Sequence, residues 1–120
     1  HALGAMHLMG QAMQTLQSKG HRISDAECEA AQIGILLHDV GHGPFSHVFE
    51  QVTGQFHEAY TRLIIHDPAT EVHARLRAFD PQLPERLAQF FDDDPDGGYL
   101  PRIVSGQLDA DRCDYLLRDS

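Results

Sequence analysis

Residues 33–47 of the chain read IGILLHDVGHGPFSH. The apolar residues at the start of this segment end a helical pattern that is apolar on nearly all sides, as in a buried helix. His38 and Asp39 come at the end of that helix, where Gly41 and Gly43 stop it. Adjacent residues at a helix end can both turn toward one ion, and a charged aspartate in an apolar run is costly unless it is paired, hydrogen-bonded or metal-bound. We therefore treat His38 and Asp39 as candidate metal ligands.

The rest of the chain also reads as helical, and no run alternates with a period of two, so we predict an all-α fold. A capping box, Ser24 to Glu27, opens the helix that leads to His38. Pro44 is expected in the first turn of the next helix, which runs to about residue 52. A first helix over residues 2–17 has an apolar stripe of Leu3, Met6, Met9, Met13 and Leu16. Further helices are predicted over residues 57–65, 71–79, 84–91 and 108–117, with an acidic loop at residues 92–98.

The composition of the 120-residue chain is that of one folded domain, with 42% hydrophobic and 22% charged residues. No run approaches the roughly 18 apolar residues of a membrane span, and we expect no secretory signal. Cys28 and Cys113 have the spacing of neither a zinc knuckle nor a redox pair, which favours a reducing, cytoplasmic setting. Phe90 and Phe91 could form an interface or cap the core.

The formal net charge of −9 disfavours a nucleic-acid partner, because basic patches that neutralise phosphates supply most of that affinity. A small anionic substrate stays compatible with this charge if a metal ion and a few arginines reverse the local field.

Two ligands do not complete a metal site, so the others must come from distant segments. The candidates are His1, at the start of the first helix, and Asp111, within QLDADR at residues 107–112. Two histidines with two aspartates leave open positions for water and phosphate oxygens. Mixed imidazole and carboxylate ligation suits iron, manganese or zinc.

Three segments resemble the motifs of HD-domain phosphohydrolases, in the deoxynucleoside triphosphate triphosphohydrolase branch. They are HALG at residues 1–4, HDVGHGPFSH at residues 38–47 and LDADRCDYLLRD at residues 108–119. Ala2 and Cys113 depart from the family pattern without touching a ligand. The resemblance implies an HD-domain helical bundle, with residues 1–120 forming a partial HD domain truncated at both ends.

The resemblance also implies the roles of individual residues. The metal ligands would be His1, His38, Asp39 and Asp111. The catalytic group around the metal would be His42, His47, Glu50 and His57, with His42 near the scissile phosphate. Arg112 would contact phosphates, and Tyr115 and Asp119 would lie near the deoxyribose.

The implied activity is metal-dependent hydrolysis of a dNTP to a deoxynucleoside and triphosphate. The cofactor would be a divalent transition metal (iron, manganese or zinc), and Mg²⁺ could accompany the nucleotide. Two alternatives stay open: an HD-type nucleotide phosphomonoesterase or phosphodiesterase, and a non-catalytic nucleotide-sensing HD domain. No membrane partner is expected, and the full-length protein is expected to be a homo-oligomer by analogy.

The remaining polar residues are expected to be structural. His7, His21, His66 and His73 match no motif and are predicted to be surface or half-buried residues. Asp109 and Asp114 are predicted to cap or pair locally, and Arg118 to be an ion-pair partner or a ligand contact. Because His1 is here a terminal residue, we expect the 120-residue piece to bind metal and substrate worse than its parent protein.

Overall fold

The computed structural model describes residues 1–45, 47–91 and 110–119, without the side chains of Gln89, Ala110, Asp111 and Asp119. Within those ranges the regular elements are all α-helices, which confirms the predicted fold class. They are α1 (Ala2–Ser18), α2 (Asp25–Leu37), α3 (His47–Thr53), α4 (His57–His66), α5 (Glu71–Phe79), α6 (Leu83–Phe91) and α7 (Ala110–Asp119). The predicted acidic loop at residues 92–98 lies outside the described residues. None of the described helices combines the length and the hydropathy that a bilayer crossing needs.

Helix α1 packs one face against α2 and also contacts α7. Ala5, Met9 and Met13 on this face are at most 1% exposed. Leu3 is 73% exposed, so its place in the predicted stripe is wrong. The reason is helical geometry: residues two apart point about 200° from each other, and Ala5 takes the inward position.

Helix α2 begins with the predicted capping box. The Ser24 hydroxyl accepts the Glu27 backbone N–H at 3.2 Å, and the Glu27 carboxylate accepts the Ser24 N–H at 2.8 Å. These two bonds satisfy donors that a helix start would otherwise leave unpaired. Further along, Ala31 and Ile35 are fully buried, so α2 is the central helix that carries His38 at its end.

Helix α6 covers α2 and α4 from another side. Leu83 and Leu87 are at most 1% exposed, and Phe90 and Phe91 are at most 9% exposed. Phe90 and Phe91 therefore belong to the core, and the suggestion that they form an exposed interface is wrong. Burying these large side chains supplies much of the hydrophobic stabilisation of the α2–α4–α6 layer.

Two local predictions need correction. Helix α3 begins at His47, not at Pro44, because Phe45 has a φ of 60°, a left-handed conformation that a right-handed helix excludes. His73 is buried at 9% exposure and is not a surface residue. Its Nδ1–H donates to the Ile65 carbonyl at 2.7 Å, which joins α5 to α4. The other three histidines outside the motifs, His7, His21 and His66, are exposed as predicted.

Candidate metal centre and catalytic site

The turn between α2 and α3 carries two of the predicted metal ligands, His38 and Asp39, and a buried threonine of α4 holds its shape. The Thr61 hydroxyl donates to the His38 carbonyl at 3.1 Å and accepts the Gly41 N–H at 3.0 Å. Gly41 has no room for a side chain, because a Cβ there would overlap the His57 carbonyl and the Thr61 nitrogen. The turn therefore lies directly against the first turns of α4.

His38 is fixed with one ring nitrogen turned toward Asp39. Its Nδ1 lies 2.6 Å from the Ile35 carbonyl oxygen. A carbonyl only accepts, so Nδ1 carries a proton, and in the neutral ring Nε2 has the lone pair. That Nε2 lies 3.2 Å from Asp39 Oδ1. The Asp39 side chain is 46% exposed, so the expectation of a costly buried carboxylate is wrong; the apolar run ends before the turn.

His42 and His57 approach the same carboxylate oxygen. Their Nε2 atoms lie 3.3 and 4.0 Å from Asp39 Oδ1. The two imidazole rings stack, with centroids 3.8 Å apart and planes 18° from parallel. One ligand atom each from Asp39, His42 and His57 lies within 4.8 Å of the others, close enough for one metal ion to contact all three. Imidazole nitrogens with a carboxylate oxygen are a donor set that iron, manganese and zinc accept, so these residues fit the implied cofactor.

Glu50 of α3 holds two of the histidines. One of its oxygens accepts the His57 Nδ1–H at 2.6 Å and the His57 backbone N–H at 3.0 Å. The other lies 3.2 Å from His47 Nδ1. The hydrogen bond from the His57 ring, followed by those from His47 and the His57 backbone, lowers the pKa of Glu50 to about 2. Glu50 is therefore an anion at neutral pH, and the bond it accepts leaves His57 Nε2 facing Asp39.

A cavity of about 460 Å³ opens next to this cluster and is lined by His47, Glu50, Gln51, Gly54 and Phe56. The His47 side chain is 80% exposed, whereas that of Glu50 is 13% exposed. The carboxylate is thus largely shielded from solvent, and the His47 ring is the exposed member of the pair.

His1 belongs to a second cluster, between the start of α1 and α7. Its Nδ1 lies 2.7 Å from Asp114 Oδ2, and Arg118 Nε donates to the same oxygen at 2.7 Å. The Arg118 guanidinium, and then the His1 ring, lower the pKa of Asp114 against the opposing effect of burial. The Tyr115 ring lies 6.3 Å from the His1 ring, centroid to centroid.

The structure thus brings together six of the residues predicted for the site: His38, Asp39, His42, His47, Glu50 and His57. His1 and Tyr115 contact each other at the α1–α7 junction. Arg112 is an exposed residue of α7. The side chains of Asp111 and Asp119 lie outside the described residues, so their predicted roles stay predictions.

Thr61 was missed in the sequence, and Asp114 was predicted only to cap or pair locally. Thr61 stands four residues after His57, one helical turn away, so the same face of α4 that carries the histidine also carries the hydroxyl. Asp114 and Arg118 are an acid and a base four residues apart, a spacing that pairs on a helix. That spacing accounts for the local pair, but it gives no sign of the contact to His1.

Fold and site together define an all-α protein with imidazole and carboxylate groups converging at the end of a buried helix. The HD domain model matches residues 1–118, and the chain belongs to the HD domain family. This confirms the resemblance seen in the three motifs.

Individual relatives support the assignment of the chain to this family. The crystal structure of a phosphohydrolase from Bacteroides thetaiotaomicron is 44% identical, with a TM-score of 0.78 over the whole of this chain and 28% of that one. The uncharacterized protein YwfO of Bacillus subtilis is 38% identical over the whole chain and 28% of its own length. A deoxynucleoside triphosphate triphosphohydrolase, the SAMHD1 homolog of Dictyostelium discoideum, is 28% identical over the whole chain and 26% of its own length. The chain thus spans little more than a quarter of each of these proteins.

Proposed function

We propose that the protein is a metal-dependent phosphohydrolase that converts a dNTP to a deoxynucleoside and inorganic triphosphate. The observation that carries this proposal is the convergence of three imidazole Nε2 atoms on one carboxylate oxygen. His38, His42 and His57 lie 3.2, 3.3 and 4.0 Å from Asp39 Oδ1. Hydrolase chemistry is supported by the phosphohydrolase structure, and the dNTP by the three motifs and by the Dictyostelium relative.

The proposed metal ligands are His1, His38, Asp39 and Asp111, as the motifs imply. The orientation of His38 supports this set, because its protonated Nδ1 leaves Nε2 to face an ion beside Asp39. A bound divalent ion would polarise a phosphate oxygen and lower the pKa of a water molecule. Asp39 would also link the metal ligands to two further histidines, because the Nε2 atoms of His42 and His57 both face its Oδ1.

The histidines that are not metal ligands are proposed to contact the phosphate and to supply the proton that the leaving oxygen needs. Hydrolysis forms a bond from a water oxygen to the α-phosphorus and breaks the bond to the 5′ oxygen, which must take up a proton. His42 is proposed to lie near this phosphate, held by its stack on His57 and by Asp39. Glu50 fixes His57 through Nδ1, and the exposed His47 is proposed to contact the phosphate or the leaving oxygen.

Substrate binding is proposed for Arg112, Tyr115 and Asp119 of α7. Arg112 is exposed on the helix, where a planar guanidinium could hold phosphate oxygens by two hydrogen bonds. Tyr115 lies beside His1, which would put the sugar near a metal ligand.

The test uses the full-length protein with Mn²⁺ and each common dNTP, and it measures release of inorganic triphosphate. Triphosphate should appear with the wild-type protein and be lost in Asp39→Ala and in His42→Ala. His66→Ala is the matched control, because His66 is an exposed histidine outside the site, and it should keep wild-type turnover.

Other products would support one of the alternative functions. Orthophosphate without triphosphate would point to a phosphomonoesterase, and cleavage of a diester to a phosphodiesterase. Stoichiometric metal with tight nucleotide binding and no product would indicate a sensor. A protein without bound metal by elemental analysis, in the presence of excess Mn²⁺, would contradict all of these functions.

The partners are proposed to be a nucleotide and further copies of the same protein, with no nucleic acid. The net charge of −9 supports the exclusion of nucleic acid. The homo-oligomer is supported by family analogy, and a cytoplasmic location by two cysteines that are both free thiols. Light scattering on the full-length protein, with and without dNTP, measures the oligomeric state.

A further inference from the structure

We propose that Asp114 is a positioning residue that orients His1 for metal binding, and that Arg118 holds Asp114 in place. This role rests on the proposed function, in which His1 is a metal ligand. It adds a residue from α7 that neither binds the metal nor touches the substrate. The metal ligand at the start of α1 would then depend on a carboxylate 113 residues away in the sequence.

The geometry assigns the proton on the His1 ring. Asp114 Oδ2 lies 2.7 Å from His1 Nδ1, and an ionised carboxylate can only accept a hydrogen bond. Nδ1 therefore carries the hydrogen, and in the neutral ring Nε2 has the lone pair. This is the tautomer that a histidine needs to bind a metal through Nε2, and carboxylates fix it in this way in many metal sites.

Asp114 itself is held from its other side. Arg118 Nε donates to the same Oδ2 at 2.7 Å, so the carboxylate cannot rotate away from His1 without losing a charge-assisted bond. The Asp114 side chain is 8% exposed, whereas that of His1 is 40% exposed. The buried acid is thus the fixed partner, and the imidazole is the group whose orientation it determines.

The first turn of α1 leaves space for this arrangement at Gly4. A Cβ at Gly4 would overlap Asp114 Oδ1 and the Arg118 guanidinium. The carboxylate therefore lies directly against the α1 backbone, beside the residue that it orients. A surface ion pair between two turns of α7 alone would not need this close approach.

The experiment measures Mn²⁺ affinity of the full-length protein by competition with a chelator, in wild type, Asp114→Asn, Arg118→Gln, His1→Ala and Ile65→Val. Asp114→Asn keeps the shape of the side chain and removes its charge, and we expect Mn²⁺ affinity to fall by about 10- to 100-fold. Arg118→Gln should cause a smaller loss, because the bond from His1 remains. Ile65→Val is the matched control for stability: it trims a fully buried core residue of α4, the helix that packs on α5 and α6.

A second measurement reads the tautomer directly in the wild-type protein. Long-range ¹H–¹⁵N spectra of the metal-free wild-type protein, labelled at histidine, should show His1 protonated at Nδ1, with a resonance identified by its loss in His1→Ala. Protonation at Nε2 in the wild type would overturn the proposed role of Asp114. Wild-type Mn²⁺ affinity in Asp114→Asn, or equal losses in Asp114→Asn and Ile65→Val, would overturn it as well.

The His1→Ala variant separates this role from the proposed function. If His1→Ala loses Mn²⁺ affinity and Asp114→Asn does not, the ligand set stands and the positioning role fails. If His1→Ala binds Mn²⁺ like the wild type, His1 is not a ligand, and both the ligand set and the role built on it fail.

Discussion

Four of the histidines around the site share one feature: each has Nδ1 against an oxygen acceptor. The pairs are His1 with Asp114, His38 with the Ile35 carbonyl, and His47 and His57 with Glu50. Because the acceptor receives a hydrogen bond from Nδ1–H, Nε2 has the lone pair in the neutral ring. Fixed tautomers of this kind are what a metal or phosphate site requires, since an incoming ligand then meets rings that need no reorientation.

Glu50 gives the site a defined dependence on pH. Its pKa is lowered from 4.5 to about 2 by the hydrogen bonds from His57 and His47. An acid whose pKa is lowered by folding stabilises the folded state above its unfolded pKa, and this contribution is lost as the pH falls toward the folded pKa. We therefore expect Glu50→Gln to be most destabilising above pH 4.5, and its difference from wild type to shrink between pH 4.5 and about 2.

Urea unfolding of both proteins over that pH range measures the difference. Glu85→Gln is the control, because Glu85 is exposed in the first turn of α6, and its difference from wild type should stay small throughout. A destabilisation by Glu50→Gln that grows in acid would contradict the hydrogen-bonded carboxylate.

At the scale of elements, α4 joins the site to the core through one face. His57, Thr61 and Ile65 follow one another at four-residue spacing, with Thr61 and Ile65 fully buried. Thr61 is the polar member of this buried row, and its hydroxyl bonds both ends of the turn between α2 and α3. This side chain therefore helps to set the position of His38 and Asp39 relative to His57.

Thr61→Val keeps the shape of the side chain and removes the hydroxyl. The Gly41 N–H and the His38 carbonyl then each lose a hydrogen-bond partner, at a cost of about 1–3 kcal/mol for a buried group left unsatisfied. We expect that loss in the free energy of unfolding, together with weaker Mn²⁺ binding, because the turn loses its attachment to α4.

Thr61→Ser is the matched variant, because it keeps the hydroxyl and loses a methyl group worth about 0.8 kcal/mol. It should lower stability modestly and leave Mn²⁺ affinity unchanged. Denaturant unfolding and chelator competition give the two readouts. Equal Mn²⁺ affinity in Thr61→Val and wild type would contradict the role of the hydroxyl.

Local signals in the sequence predicted which helices exist, but not every helix end. The capping box predicted the start of α2 because it is a reciprocal pair within four residues. Pro44 suggested a helix start three residues too early. The left-handed backbone at Phe45 prevents that start, and a phenylalanine in the sequence does not indicate such a backbone, which the turn imposes. Asp39 was expected to be buried from its apolar neighbours, but exposure is decided by where α2 ends, and the side chain is 46% exposed.

The sequence predicted only those site residues that the family resemblance covers. His42 and Glu50 were assigned from the resemblance, and both lie in the cluster. The contact of Asp114 with His1 joins positions 113 residues apart. Such a contact depends on how α1 and α7 pack, which no periodicity within either helix encodes. The packing of Gly41 against α4 has the same origin.

At the scale of the whole molecule, the proposed ligand set draws on segments at opposite ends of the chain. His1 precedes α1, His38 and Asp39 follow α2, and Asp111 belongs to α7. Helix α7 packs on α1, so a metal bound by this set would tie together parts of the fold that are far apart in sequence. A metal bound only by Asp39, His42 and His57 would instead tie the α2–α3 turn to α4.

The two ligand sets predict that bound metal protects different segments of the chain from local opening. We expect Mn²⁺ to slow amide exchange in the first turn of α1 and in α7, as well as in the turn after α2, because opening any of these segments breaks a ligand bond. At a free Mn²⁺ concentration 100 times its dissociation constant, binding adds about 2.7 kcal/mol to the cost of such openings. Hydrogen–deuterium exchange of the full-length protein, with and without Mn²⁺, measures this protection peptide by peptide. Asp39→Ala should show none of it, whereas protection confined to residues 38–61 would assign the metal to Asp39, His42 and His57 and remove His1 and Asp111 from the ligand set.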